Sequence, residues 1–99
     1  MDKELTLDHY TSLLSIFGEA VNILTRGLKN DEVPLKAASK LHSLYNNYIL
    51  GHIARANQLD NGDERYQQAR QGVIYSLANL DDLIKSVVGK DILGNVGLN

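Results

Sequence analysis

Apolar residues in the first third of this chain recur in steps of three and four along two adjoining lines. Leu7, Tyr10, Leu14, Phe17, Val21, Leu24 and Leu28 form one seam, and Leu13, Ile16, Ala20, Ile23 and Gly27 repeat the steps beside it. At about 100° per residue each set falls on one side of an α-helix. A helix with two apolar faces needs two sets of neighbours. The first helix is therefore expected to meet other helices of the chain on one face and a partner segment or a second copy on the other.

Two further helices can be read from the same periodicity. Helix 1 is predicted from Thr6, an N-cap residue type, to Leu28, with Asp8 near the positive end of the helix. The stretch Lys29–Val33 breaks it before Pro34, which is tolerated in a first turn because that N–H lacks an intrahelical acceptor. Helix 2 then runs from Pro34 to Asn57, with Leu35, Ala38, Leu41, Leu44, Tyr45, Tyr48, Ile49, Ile53 and Ala56 covering about half its circumference. That breadth suits a middle helix touching both others. Leu59-Asp60-Asn61-Gly62 is a turn, since Asn-Gly readily supplies positive φ. Helix 3 is predicted from Asp63 to Val88, with the seam Tyr66, Ala69, Val73, Leu77, Leu80, Ile84 and Val87. Short connections make neighbours antiparallel. The expected fold is all-α: an antiparallel up-down bundle of three long helices over residues 1–88, completed by a partner or by dimerisation. The glycine-containing residues 89–99 are expected to form a flexible tail. Gly18, Gly51 and Gly72, inside the helices, suit close backbone approach between them or a flat spot for a partner.

Bulk properties exclude several classes of function. The 99 residues suffice for one domain with a core. The net charge is −2, and the basic residues Arg26, Lys36, Lys40, Arg55, Arg70 and Lys85 are scattered in sequence, which argues against a nucleic-acid-binding patch. There is no cysteine, hence no disulfide and no thiolate chemistry, as in a reducing compartment. The start, MDKELTLDHY, lacks the apolar core of a secretory signal, and no apolar run approaches the length of a membrane span. A cytoplasmic protein without membrane insertion is expected.

Catalytic chemistry has little to build on. His9, His42 and His52 contain no i, i+4 pair, so the helix-borne arrangement that grips zinc is absent. His42 and His52 are expected to be half-buried packing residues, each with one nitrogen satisfied. Asp60, Asn61, Asp63 and Glu64 fail the calcium-loop order because Gly62 comes too early, and a capped turn suits them better. Asp81 and Asp82 are adjacent and point in different directions on a helix, as on a solvated face. The glycines between Gly89 and Gly97 lack the strand, helix and Gly-Lys-Ser/Thr of a phosphate loop. No catalytic, metal or cofactor-binding residue is assigned, and an enzyme is not expected.

From Glu19 to Leu28, and then at Leu41, Leu44-Tyr45, Tyr48, Ile49, Ala56-Asn57 and Asp60, the chain resembles the flagellin export chaperones of the FliS type. The likeness covers about residues 17–85. The chain departs from the family pattern in having no tryptophan in its last helix. It also departs in a Leu-Tyr to Ala-Asn spacing about one residue longer and in leaving no space for an extra N-terminal helix. The resemblance implies a shortened, cytoplasmic chaperone that holds a disordered segment, such as the flagellin C-terminus, as helices on its surface. In architecture alone the chain is also similar to the cytoplasmic immunity proteins against class IIa bacteriocins, which likewise contact other proteins.

The expected function is that of a non-enzymatic helical chaperone or adaptor burying an amphipathic segment of a partner, by helix-in-groove recognition. Leu13, Ile16, Ala20, Ile23, Tyr45 and Tyr48 are the expected partner-binding residues. The alternatives are an immunity protein or a homodimeric structural module.

Overall fold

The computed structural model describes the backbone of residues 5–97 and the side chains of residues 5–89. Three helices follow one another: α1 (Leu7–Lys29), α2 (Leu35–Leu59) and α3 (Glu64–Gly97). Thr6 caps α1. Its hydroxyl accepts from the His9 amide, and His9 Nδ1 accepts from the Thr6 amide in return at 3.2 Å. A histidine thus takes the place of the usual Glu or Gln in a capping box.

The turn after α1 is tight. The Glu32 and Val33 amides both donate to the Gly27 carbonyl, at 2.8 and 3.1 Å, and Asp31 sits at φ 59°, in the left-handed region. Pro34 occupies the N-cap of α2 with φ −63° and ψ 146°. It precedes the helix instead of opening it, because its carbonyl accepts the first helical bond, from Ala38. Between α2 and α3 the Asp60 carboxylate accepts from the Gly62 and Asp63 amides, and the Asp63 carboxylate from Arg65 and Tyr66. Gly62 takes φ +96°. Both acids are spent on their own backbone, as a capped turn requires.

The helices run up, down and up. Tyr10 packs on His52 and Phe17 on Tyr45, so α1 and α2 are antiparallel. The Tyr66 hydroxyl lies against Ile53 and His42 against the Leu77 carbonyl, which makes α3 antiparallel to α2. Asp8 pairs with Arg65, and Gly18 lies against Val73, so α1 and α3 run side by side in the same direction.

The predicted seams form the core. Tyr10, Leu14, Val21, Leu24 and Leu28 of α1 are buried with Ala38, Ile49, Ile53 and Ala56 of α2 and Tyr66, Val73, Leu77 and Leu80 of α3. Leu7, Phe17, Ala69, Ile84 and Val87 pack around them. The central helix, however, is α1. Its packing on α3 is the most extensive in the bundle, and that between α2 and α3 the least. A Cβ on buried Gly18 would stand 3.7 Å from the Val73 Cα, an ordinary contact, so α1 and α3 pass close to one another at this point with space for no more than a methyl group. Gly51 and Gly72 make no such approach.

Helix α3 also continues past the expected end at Val88, to Gly97. No proline follows Pro34, and a helical glycine costs only about 1 kcal/mol relative to alanine. Side chains from residue 90 onward lie outside the described residues, as does the flexibility expected of the tail.

Candidate functional site

Phe17 marks the middle of the contact between α1 and α2, with its ring centroid 6.1 Å from that of Tyr45. On α1, Gly18 lies about 100° to one side of Phe17 and faces α3, while Ile16 lies about 100° to the other side and Ile23 about 20° beyond it. On α2, Leu44 and Tyr48 fall about 60–100° from Tyr45, on the side opposite His42 and Ile53, which face α3. The four side chains therefore flank the α1–α2 contact on the face turned away from α3. All are well exposed: Ile16 61%, Ile23 58%, Tyr48 55% and Leu44 49%. Elsewhere in the α1 seam residues of the same kind are buried, so this face is apolar surface left without a neighbour among the described residues.

A groove of about 520 Å³ opens at the turn end of this face, lined by Ala20, Ile23, Gly27, Val33, Leu41 and Tyr45 among others. Of the six residues expected to bind a partner, Ala20, Ile23 and Tyr45 line this groove. Leu13, Ala20 and Tyr45 are half-buried, while Ile16, Ile23 and Tyr48 are exposed. The two faces of α1 thus have different fates, the first seam becoming core and the second staying partly open. Sequence periodicity missed Leu44 as a member of the face, having assigned it to the apolar breadth of α2. Its place one helical turn before Tyr48 is the signal that would have found it.

Other surface features are less coherent. Leu50 and Ile74 border a smaller groove of about 310 Å³ between α2 and α3, beside His42 and Asp81. A trough of about 600 Å³ on the outside of α3 is bordered by Gln68, Gln71, Gly72, Ile74, Tyr75 and Ala78. Its volume exceeds that of the α1–α2 groove, but one helix alone forms it, so no second wall would hold a ligand.

The histidines serve the fold. Because a carbonyl only accepts, His42 donates Nε2–H to Leu77, at 3.2 Å across α2 and α3. The His52 ring is wedged edge-on between Tyr10 and Phe17, with centroids 5.7 and 5.6 Å away. Its buried Nδ1 has no hydrogen-bond partner among the described residues, which differs from the expected satisfied nitrogen. Burial beside these rings pushes the His52 pKa below the ordinary imidazole value, and the nearby Arg55 charge adds to the effect. Asp81 pairs with Lys85 one turn on, at 2.9 Å. Among the described residues no group of three His, Cys, Asp or Glu side chains is placed to hold a metal ion, and no helix is long and apolar enough to cross a membrane.

No family model, curated protein or solved structure matches this chain significantly.

Proposed function

We propose that this protein is a non-enzymatic chaperone or adaptor that receives an amphipathic helix of another protein on its α1–α2 face. The observation carrying this reading is the exposed quartet Ile16, Ile23, Leu44 and Tyr48 on one face of the α1–α2 pair, which Ile23 links to the groove at the turn end. A fourth helix laid there would complete the bundle as its own helices do, by inserting side chains at i, i+3, i+4 and i+7 between neighbours. Residues of the flagellin-chaperone resemblance, Leu41, Leu44, Tyr45 and Tyr48, fall on or beside this face. A relative of that family, acting in the cytoplasm on a disordered export substrate, is thus the finer form of the proposal. An immunity protein contacting its target through the same face is the alternative.

Sedimentation over a range of concentrations, with and without a synthetic amphipathic helical peptide, tests the reading. A monomer that takes up one peptide per chain is expected. A tight dimer that refuses the peptide would transfer the face to a second copy.

A further inference from the structure

The net charge of −2 conceals an uneven distribution. Across Leu35–Leu59, helix α2 contains Lys36, Lys40 and Arg55 and not one aspartate or glutamate. Two of these cations stand on the apolar line already described. Lys40, Leu44, Tyr48, Gly51 and Arg55 follow one another at steps of 4, 4, 3 and 4, a single stripe on the helix. An exposed cation thus stands at each end of the exposed pair Leu44 and Tyr48. Neither Lys40 nor Arg55 joins an ion pair among the described residues, whereas Arg65 and Lys85 do. The start of α2 adds to the positive field, for Pro34 offers no side-chain cap and the first turn holds no acid. The groove's own acid is Glu32, in the turn.

From this complementarity we infer that the segment docking on the α1–α2 face is an acidic amphipathic helix, whose carboxylates flank an apolar stripe and meet Lys40 and Arg55. The inference rests on the docking reading above and adds the charge of the partner. A second copy of the chain suits the face poorly. Two α2 stripes packed antiparallel about a twofold axis would bring Lys40 of one against Arg55 of the other, so like charges would oppose each other at both ends. An anionic membrane shares the acidic chemistry. It suits the face less well, because the exposed apolar residues come from two helices, on either side of the α1–α2 contact, instead of capping one convex helix surface.

The test titrates the full chain with three synthetic helical peptides that share one leucine stripe and differ in their flanking residues, all Glu, all Gln or all Lys. The Glu peptide should bind about five- to tenfold more tightly than the Lys peptide at low salt, with the gap closing as salt rises. The double variant Lys40→Glu/Arg55→Glu should reverse that order while keeping its affinity for the Gln peptide. Binding of all three peptides with equal affinity would overturn the acidic partner and leave the docking reading standing. Failure of all three, with the fold intact by circular dichroism, would overturn both. Co-sedimentation with phosphatidylserine vesicles, without binding of the Glu peptide, would overturn the protein partner in favour of a lipid surface.

Discussion

At the residue scale, three positions combine legible chemistry with contacts that no periodicity announces. Tyr66 belongs to the predicted seam, but its fully buried hydroxyl donates to the Asn57 side chain, which also accepts from Arg70 Nη1 at 2.9 Å. Arg70 lies over the Tyr66 ring, 5.3 Å from its centroid. Removing Asn57 leaves the hydroxyl only the longer contact to the Ile53 carbonyl, at 3.4 Å, and takes a partner from Arg70, so Asn57→Ala should cost about 1 kcal/mol, more than Tyr66→Phe, which removes donor and demand together. Chemical denaturation of the two variants gives the comparison. Asp31 sits at φ 59°, where a side chain is strained and glycine is not. Asp31→Gly should therefore stabilise the fold by about 0.5–1 kcal/mol, read as a higher denaturation midpoint. Gly27 gives the opposite case, because a Cβ there would come within 2.6 Å of Val33 Cγ2. Gly27→Ala should cost about 1–3 kcal/mol through displaced packing. The same exchange at Gly18 meets Val73 at an ordinary 3.7 Å and should be neutral or stabilising. Asn61-Gly62 could be read in advance because the dipeptide names its own turn. The strain at Asp31 and the clash at Gly27 could not, since both depend on the path of the turn to Pro34.

At the scale of elements, the seams were readable because a 3.6-residue period fixes which side chains share a face. Seam residues of all three helices form the core. What the period does not contain is which helix sits between the others. Chain order suggested α2, yet the close crossing at Gly18 makes α1 the hub. The same gap hid the place of Leu44, since an apolar residue beside a seam is core or surface according to where the third helix lies. His52, on α2 beneath the open face, gives the α1–α2 contact a pH dependence. Burial favours its neutral form, so its folded pKa lies below the 6.5 of the unfolded chain. Stability from this group is complete above that value. It is lost as pH falls below about 6.5, because the unfolded chain takes up the proton first, and the loss ends once the folded ring is protonated too. Thermal midpoints measured between about pH 7.5 and pH 5.5 should fall more steeply for the natural chain than for His52→Phe, which keeps a ring between Tyr10 and Phe17 and cannot titrate. Parallel slopes would remove His52 from the account.

At the scale of the whole molecule, the bundle closes one side of α1 and leaves another open, and that asymmetry carries the functional reading. If the open side is an interface, folding and binding must separate there. Ile16 and Ile23 lie seven residues apart, two turns along one line, and both are more than half exposed. Replacing both with serine removes apolar contact from the face while leaving the buried seam of α1 intact. The monomer should lose no more than about 0.5 kcal/mol per substitution, as exposed positions usually do. Affinity for the acidic peptide should fall at least tenfold, because a few central apolar anchors dominate interfaces of this kind. Phe17→Ala supplies the contrast. Its ring packs on Tyr45 and His52, and its loss should cost about 3 kcal/mol of folding stability, near the lower end for a truncated aromatic because the ring is only half-buried. Denaturation and peptide titration of the two variants then form a cross. The serine pair should bind weakly on a stable fold, and the alanine variant should fold weakly. If the serine pair in a proven monomer unfolds as readily as Phe17→Ala, both stripes of α1 stabilise the bundle itself, and the open face ceases to be a docking site.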